Sequence, residues 1–401
     1  MTPRLTILLP LKGRRLFTLR FLWHANRAGL PYRFLVADGQ VHPLLAELLE
    51  ESRGIFPNLD IEYIRYPDDD NFRRYFLKMS DAIQRVRTPY TMLADNDDFL
   101  VLGGIERSLD FLETRDDYVC CGGGIAGFSV YARDNASPTG LLGPLNRLAY
   151  RYAPYDRSID LGSSSVANRL LLGLRNSWSY YAVFRSPALL TIWREAADMD
   201  LSDLQLHEKF CAMRTLTLGK ARSDPASIGY MRQYWTSLRS AFSKDWVHHL
   251  LRNRFSTDFA EIIARISKEA AGNELDQEII AENLRERIEP WLRDFLRLNY
   301  GLYGVTRQHI RSTAPAILDW LKMRRRYSVP LERRMLLGKL RTNGASEQYL
   351  KAFREELADI EDVIAGRAFK EFIQPYMRKF TSASISPPAA RFDSFGRGRN
   401  V

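Results

Sequence analysis

The sequence has few cysteines and no long uncharged apolar run. Its 401 residues include three cysteines, of which Cys120 and Cys121 are adjacent and Cys211 stands alone. Because no CxxC pair and no even-numbered set exists, we expect a reducing, cytoplasmic environment rather than a disulfide framework. No apolar stretch is long enough to cross a bilayer, and the run near the N-terminus is too short for a secretory signal. We therefore expect a soluble protein, with at most peripheral contact at the inner face of a membrane.

Positive charge exceeds negative charge in this sequence. The 58 lysines and arginines outnumber 48 acidic residues, which gives a net charge of +10 and a pI near 9.5. Such a balance suits an anionic partner: nucleic acid, a membrane surface or a phosphate-bearing small molecule. Nucleic acid is not expected, since no interleaved aromatic platform or known reader motif accompanies the basic residues.

Apolar strands and amphipathic helices alternate through the first half of the sequence. The predicted order begins with strand 5–10, helix 16–28, strand 32–39, helix 42–53, strand 59–67, helix 72–86 and strand 89–94. It continues with helix 104–113, strand 117–124, a loop-like segment 131–165, strand 179–186 and helix 187–219. The βαβα order predicts an α/β fold with a largely parallel, doubly wound sheet.

Strand patterns fade after about residue 235. We predict an α/β domain over 1–235, a helical C-terminal region over 236–381 and a disordered tail rich in Ser, Pro, Gly and Arg over 382–401. The basic run 322–341 is either a solvated helical face or a contact for anionic lipid head groups or a lipid-linked acceptor. The helical region is expected to serve the acceptor or assembly, including a homo-oligomer, rather than donor chemistry.

Three predicted strands end in polar residues. These ends are Pro10 to Arg15, Asp38-Gly39 and Asp95 to Asp98. In an open α/β sheet, ligands bind outside the carboxyl ends of the strands, so the three ends should meet in one crevice. Clustered carboxylates repel one another and are costly to bury. A bound cation would explain the cluster at the third end.

The segment Asp95-Asn96-Asp97 is an Asp-x-Asp motif after an apolar strand. Side chains two residues apart in extended backbone face the same way, so both carboxylates can address one divalent ion. Hard oxygen ligands suit Mg²⁺ or Mn²⁺ bridged to diphosphate oxygens. The structural alternative is a solvated turn, because Asp and Asn favour turns. The convergence of three strand ends favours the ion.

The stretch "TPYTMLADNDDF" (88–99) resembles the bacterial nucleotide-sugar glycosyltransferases of the GT-A fold, in the subgroup with a Thr-Pro-Tyr strand before an Asp-rich block. The resemblance covers roughly residues 3–235 and implies a metal-dependent, inverting transfer of sugar to a hydroxyl acceptor. A glycan, a lipid-linked glycan or a protein would be the acceptor, as in bacterial surface-glycan synthesis. The first loop, "PLKGRR", departs from the common Thr-x-Asn arrangement, so the nucleotide base stays open.

The resemblance also implies roles for matching residues in donor binding. Pro10, Lys12 and Arg14 would cradle the nucleotide, Asp38 with Gly39 would contact the nucleoside, and Lys78 would reach the base or diphosphate. Asp95 would face ribose or the metal, Asp97 would bind the metal with Asp98 in support, and Arg232 would bind diphosphate. For Arg232, ordinary surface packing is an equal alternative.

Inverting transfer needs a general base to deprotonate the acceptor hydroxyl. The family places it near the start of a helix that ends at a glycine, which here is Gly219. Asp203 fits the position at the helix start, and Glu208 fits the spacing to the glycine. Asp203 is preferred, although an acid at a helix N-terminus also stabilises the helix dipole without any catalytic role.

Two further patterns have structural alternatives. "GGGIAG" (122–127) spells the dinucleotide fingerprint, but no helix is predicted to begin inside it, so we expect its glycines to let a donor sugar or acceptor approach the backbone. His207, His248 and His249 are possible metal ligands, although most such residues are structural. The rival functions are a nucleotidyltransferase and a non-catalytic sugar-binding or scaffold protein.

Overall fold

The computed structural model describes residues 3–40, 44–51, 54–130, 141–150, 159–162, 165–173, 178–199, 201, 204–233, 254–272, 274, 276–286 and 329–382. Asp203, His248, His249 and the basic residues 322–328 lie outside these ranges, as do the residues after 382. Within the described parts of the chain, no helix is both long and apolar enough to cross a membrane.

Within the described residues, ten strands form one sheet. They are β1 Leu5–Leu11, β2 Arg33–Asp38, β3 Asp60–Arg65, β4 Tyr90–Leu93, β5 Phe99–Leu100, β6 Tyr118–Val130, β7 Leu145–Tyr150, β8 Ile159–Leu161, β9 Val183–Arg185 and β10 Lys220–Gln233. The order across the sheet is β3-β2-β1-β4-β9-β6-β10-β5, with β7 paired to β6 and β8 paired to β10.

The helices flank this sheet and continue after it. They are α1 Arg15–Arg27, α2 Leu44–Glu51, α3 Phe72–Gln84, α4 Leu102–Glu113, α5 Val166–Gly173, α6 Ser186–Asp198, α7 Leu204–Leu218, α8 Arg254–Ala270, α9 276–286, α10 Val329–Thr342, α11 Glu347–Ala365 and α12 Arg367–Ser382. A short 3-10 helix spans Trp178–Tyr181.

The sheet is parallel in its first half and mixed in its second. Strands β3, β2, β1 and β4 all run parallel, which confirms the predicted βαβα arrangement. In contrast, β9 runs antiparallel to both β4 and β6, and β5 runs antiparallel to β10. The prediction of a largely parallel sheet is therefore wrong for the second half, because apolar periodicity reports burial of a strand and not its direction.

Three local predictions are corrected. The segment 131–165, predicted as loop, contains β7 and β8, whose pairing with β6 and β10 outweighs a composition rich in turn formers. The predicted helix 187–219 is two helices, α6 and α7. The predicted strand 179–186 is divided between the end of the 3-10 helix and the three-residue strand β9.

The glycines of "GGGIAG" lie within the long strand β6, and no helix begins there, as expected. A Cβ added at Gly123 would lie 2.6 Å from the backbone nitrogen of Gly229, and one at Gly124 would lie 2.5 Å from the Tyr150 hydroxyl. Both distances are too short for non-bonded atoms. These two glycines make room for β10 and for Tyr150, rather than for a ligand as we expected.

The helices α10 to α12 share apolar cores with the sheet. Phe353 of α11 is buried in one cluster with Phe99 of β5 and Phe128 of β6. Phe369 of α12 is fully buried and packs against Trp23 of α1, with ring centroids 5.5 Å apart. Residues 329–382 therefore stabilise the α/β half by burying its apolar surface. The division of the chain at residue 235 stays a prediction.

Two polar side chains of α11 also contact the sheet region. The Tyr349 hydroxyl accepts a hydrogen bond of 2.7 Å from the backbone nitrogen of Ile228, where β10 is irregular in its pairing with β6. Glu356 accepts a 3.3 Å bond from the backbone nitrogen of Gly103 at the start of α4. Because α4 has no side-chain cap of its own, Glu356 supplies the acceptor that its first turn needs.

Candidate functional site

The carboxyl ends of the first four strands meet at one edge of the sheet. Leu11 of β1 pairs with Asp38 of β2, which pairs with Arg65 of β3, and Leu8 of β1 pairs with Leu93 of β4. The backbone nitrogen of Gly39 donates to the Leu11 carbonyl at 2.9 Å. The predicted convergence of the three polar strand ends is thus confirmed.

Asp95, Asp97 and Asp98 form a compact acidic cluster just after β4. Each offers a carboxylate oxygen, and these atoms all lie within 4.8 Å of one another. Between them, Asn96 points away from the cluster and donates from Nδ2 to Thr18 Oγ1 at 2.9 Å. Asn96 therefore fastens the turn to α1 while its acidic neighbours face each other.

Asp95 is held by two stacked tyrosines. The Tyr181 hydroxyl donates to Asp95 Oδ2 at 2.5 Å, and the Asp95 backbone nitrogen donates to the Tyr230 hydroxyl at 2.8 Å. The two rings stack with centroids 4.4 Å apart, and the Arg232 guanidinium lies 5.4 Å from the Tyr181 ring. The 3-10 helix and β10 thus position the first acid and a cation beside it.

Asp97 is paired with a cation from the first loop. Arg14 Nη2 lies 2.5 Å from Asp97 Oδ2, and the Arg14 guanidinium stacks over the Phe17 ring at 4.8 Å. The Arg14 backbone has φ 57° and ψ 40°, a left-handed conformation that is uncommon outside glycine. No other non-glycine residue in the described parts of the chain has positive φ.

A second arginine lies beneath the cluster. Arg20 of α1 is fully buried and donates to the carbonyl oxygens of Asp97 at 2.6 Å and Leu141 at 2.9 Å. It also donates to Gln233 Oε1 at 2.7 Å, and the backbone nitrogen of Gln233 donates to Asp98 Oδ1 at 2.7 Å. Burial lowers the pKa of Arg20 to about 9, against the attraction of the nearby acids.

The electrostatics of the cluster favour an added cation. Burial, followed by the charge of Asp97, raises the pKa of both Asp95 and Asp98 above the ordinary range. Asp98 Oδ2 is buried and has no hydrogen-bond partner among the described residues. Mutual repulsion and an unsatisfied carboxylate oxygen are what a divalent ion would relieve, so these three residues fit Mg²⁺ or Mn²⁺.

A second polar cluster surrounds the end of β2. Asp38 is fully buried, and its carboxylate accepts from the Tyr63 hydroxyl at 2.6 Å and from the Gln40 backbone nitrogen at 3.0 Å. Gly39 follows, and a Cβ added there would lie 2.2 Å from Asp69 Oδ2. Only glycine therefore allows the β2 end to lie against the Asp69 carboxylate.

Asp69 interacts with Lys78 and Lys12, the two lysines that we predicted to contact the donor. Buried Lys78 forms an ion pair with Asp69 and donates to the Leu11 carbonyl at 3.2 Å. Exposed Lys12 has its ammonium 3.9 Å from Asp69 Oδ1. Burial lowers the pKa of Lys78, while Asp69 opposes that shift. Half-buried Pro10 lies at the end of the same strand as Leu11, so these predicted nucleotide contacts are brought together.

Glu208, the alternative candidate for the base, lies on α7. It is half-buried and lines a small, mainly apolar cavity with Leu93, Ser179 and Tyr180. Burial raises the pKa of Tyr75, and the charges of Asp95, Asp69 and Glu208 raise it further. Glu208 and Asp95 thus share Tyr75 as a neighbour. The preferred base, Asp203, lies outside the described residues.

His207 is a core residue. It is fully buried, stacks on Phe76 with ring centroids 4.0 Å apart and contacts Trp193. Burial lowers the pKa of His207 to about 3. Its ring faces aromatic side chains and the Cys211 sulfur, so the possible role as a metal ligand is not supported.

Several residues of the site were missed from the sequence. They are Tyr181, Tyr230, Gln233, Arg20 and Asp69. Tyr181 lies in "SYY" and Tyr230 in "IGYMRQ", and neither stretch has a spacing that distinguishes it from an ordinary strand. A hydroxyl contact across the sheet cannot be predicted from the spacing of neighbouring residues. One feature of the sequence could have indicated Arg20: it is a charged residue among the apolar residues of a helix that is largely buried.

No family model and no curated protein matches this chain. Similar solved structures are those of S. aureus TarS. The structure of TarS 1-349 in complex with UDP-GlcNAc aligns with a TM-score of 0.45 and 10% identity, covering 94% of this chain and 92% of that chain. The complex with UDP gives a TM-score of 0.44 at the same identity and coverage. Against the longer TarS chain the TM-score is 0.42 and the identity 11%, and this chain covers 54% of that chain's length.

Proposed function

We propose that the protein is a metal-dependent glycosyltransferase, which moves a sugar from a nucleotide-diphosphate sugar to a hydroxyl acceptor. The observation that carries this proposal is the acidic cluster at the carboxyl edge of the sheet, with three carboxylate oxygens within 4.8 Å and Asp98 Oδ2 unsatisfied among the described residues. A solvated turn would not bury Asp97 and Asp98 beside a half-buried Asp95. A cation that is itself bound to diphosphate would explain why the sequence has three acids at this position.

The donor would lie along the edge between the two polar clusters. Asp38 and Gly39 would meet the nucleoside, as would Pro10 and Lys12 at the end of β1 and Lys78 of α3. This side of the edge holds the buried Lys78–Asp69 ion pair and therefore offers both donors and acceptors to a base or ribose. Arg14, which is paired with Asp97, and Arg232, whose charge acts on Asp95, would hold the diphosphate.

Asp95, Asp97 and Asp98 would hold Mg²⁺ or Mn²⁺. A divalent ion at this position supplies neutralising charge for a departing diphosphate. The protein's part is to keep the three carboxylates fixed, through Tyr181 for Asp95 and the Gln233 backbone for Asp98. Pre-set charges of this kind lower the barrier because they need no reorganisation as the reaction proceeds.

The acceptor base would be Asp203 or Glu208. Glu208 lies in the first half of α7, and its charge acts on Tyr75 together with that of Asp95. In the sequence, Asp203 directly precedes α7. The base would take the acceptor hydroxyl proton as that oxygen attacks the anomeric carbon, which inverts the configuration. The acceptor would be a glycan, a lipid-linked glycan or a protein, in bacterial surface-glycan synthesis at the cytoplasmic side of the membrane.

The test is calorimetric titration with UDP, GDP, CDP and ADP, each with and without Mn²⁺, followed by transfer assays with matching sugar donors. We expect one nucleotide to bind in a Mn²⁺-dependent manner, and Asp97→Ala to abolish that dependence. Asp110→Ala is the matched control, because Asp110 is an exposed acid on α4 paired with Arg4. Binding of a nucleoside triphosphate with release of pyrophosphate would point to a nucleotidyltransferase. A folded protein that binds no nucleotide would favour a sugar-binding or scaffold role and refute the proposal.

A further inference from the structure

Arg14 occupies the position of a counter-ion in the acidic cluster. Its guanidinium contacts the Asp97 carboxylate at 2.5 Å, and the Asp97 side chain is almost completely buried. The cluster therefore already has a protein cation at its central carboxylate.

A divalent ion in the cluster and Arg14 would share the negative charge of Asp97. The Arg14 guanidinium contacts Oδ2, one of the two oxygens of that carboxylate. An ion bound by the same carboxylate would lie close to the guanidinium, and two positive charges at short distance repel each other in a partly buried site. Arg14 therefore opposes ion binding for as long as it holds Asp97.

Arg14 is the arginine of the site that is placed to leave. Its side chain is 27% exposed, whereas Arg20 is fully buried and fixed by two carbonyl oxygens and Gln233. The Arg14 backbone is in the left-handed region, which costs energy for a residue with a Cβ and persists only where surrounding contacts impose it. Release of the ion pair would remove one of those contacts.

From these contacts we propose that Arg14 is an exchangeable counter-ion, which holds Asp97 until a diphosphate draws the guanidinium away and opens the carboxylate to the divalent ion. The inference rests on the proposed function for the identity of the diphosphate. Guanidinium groups bind phosphate oxygens as well as carboxylates, so the donor offers Arg14 an alternative partner. Metal binding and diphosphate binding are then coupled, and the coupling is reciprocal.

The proposal predicts opposite changes in two affinities when Arg14 is replaced. In Arg14→Ala, Mn²⁺ alone should bind about tenfold more tightly, whereas the nucleoside diphosphate should bind less tightly. The enhancement of Mn²⁺ binding by the nucleotide should shrink by a similar factor. A residue that merely supported the fold would not improve Mn²⁺ binding when removed.

The experiment measures Mn²⁺ affinity of the full chain by electron paramagnetic resonance of the free ion, with and without the preferred nucleoside diphosphate. Arg15→Ala is the matched control, because Arg15 is the next residue but its Nε donates to Gln40 Oε1 at 2.6 Å rather than to the acidic cluster. Arg14→Asn is the second variant, since asparagine tolerates the left-handed backbone. Thermal melting of each variant verifies folding.

Tighter Mn²⁺ binding in Arg14→Ala and Arg14→Asn, but not in Arg15→Ala, would support the exchange. Unchanged or weaker Mn²⁺ binding in both Arg14 variants, or equal tightening in Arg15→Ala, would overturn it. The wild-type protein separates this result from the broader proposal. If it binds Mn²⁺ but no nucleotide, the glycosyltransferase assignment fails while the Arg14 comparison with Mn²⁺ alone still decides the competition. Absence of Mn²⁺ binding in every variant would refute both.

Discussion

The hydroxyl of Tyr181 donates a 2.5 Å hydrogen bond to Asp95 Oδ2. This bond joins the short 3-10 helix to the turn after β4, two segments more than 80 residues apart in the chain. It also opposes the effects of burial and of Asp97 on the pKa of Asp95. One phenol thus both orients the first acid of the cluster and favours its charged form.

Tyr181→Phe should weaken Mn²⁺-dependent nucleotide binding about tenfold. A hydrogen bond to a charged group contributes roughly 1.5 to 3 kcal/mol, and its loss leaves Asp95 freer to turn. Calorimetry with Mn²⁺ and the preferred nucleotide measures the change. Tyr180→Phe is the control, because its hydroxyl lies 3.3 Å from the Tyr75 hydroxyl instead of contacting the acid. Equal affinities in Tyr181→Phe and wild type would show that this bond does not support the site.

Tyr349→Phe, a substitution in the C-terminal helix α11, should impair donor binding. The lost hydroxyl leaves the backbone nitrogen of Ile228 unpaired, which costs about 1 to 3 kcal/mol of unfolding free energy. Two residues further along β10, Tyr230 contacts Asp95, so a disturbed strand should also lower nucleotide affinity. Urea denaturation and calorimetry measure the two effects. Lower stability with wild-type affinity would instead support the predicted separation of the helical region from donor chemistry.

Glu356→Gln should change how stability depends on pH. Burial raises the pKa of Glu356 to about 7 in the folded protein from an ordinary value of 4.5. The folded chain therefore holds this proton more tightly than the unfolded chain, so Glu356 lowers the free energy of unfolding as pH rises from about 4.5 to about 7. Glutamine still accepts a hydrogen bond from Gly103 but does not ionise. The variant should gain roughly 3 kcal/mol over wild type between pH 4.5 and pH 8.

Denaturation curves of both proteins at several pH values check this expectation, since other titrating groups cancel in the difference. Glu355→Gln is the matched control, because it removes the same charge from an exposed position on α11. A constant difference between Glu356→Gln and wild type across this pH range would contradict the prediction.

Replacement of the acceptor base should leave donor binding intact and stop transfer. Asp203→Asn and Glu208→Gln each keep the shape of the side chain and remove its basicity, so the base should lose at least about 100-fold in rate. Product formation in single-turnover assays measures transfer, and calorimetry measures nucleotide binding. We expect Asp203→Asn to show the loss. An active Asp203→Asn beside an inactive Glu208→Gln would reverse the assignment.

The parallel half of the sheet could be predicted because each strand there has a simple sequence pattern. Apolar runs such as 5–10 end in polar residues, and helices with regular apolar spacing separate them. The second half could not be predicted in the same way. Strand β7 pairs with β6, which ends at Val130, across a segment rich in turn formers. Strand β8 pairs with the distant β10, and β9 has only three residues, too few for a periodic pattern.

The site shows the same distinction. Asp38 ends β2, and the three acids of the cluster come directly after β4. Their position at the edge of the sheet can therefore be predicted from the topology. The contacts that fix them come from Tyr181, Tyr230 and Gln233, whose placement depends on the mixed half of the sheet. Contacts between residues more than 80 positions apart are determined by tertiary packing, and local sequence patterns do not indicate them.

Arg20 has a consequence for how the chain matures during synthesis. Its guanidinium joins residues 20, 97, 141 and 233 through three hydrogen bonds, so the acceptor on Gln233 must exist before the arrangement can close. A nascent chain that has emerged only through β4 can pair its first four strands, because all of them are already present. Its buried arginine, however, lacks all three of these acceptors, because residues 97, 141 and 233 follow β4. The acidic edge is therefore completed late, after more than half of the chain has left the ribosome, and truncated products should fold their parallel strands without acquiring a competent site.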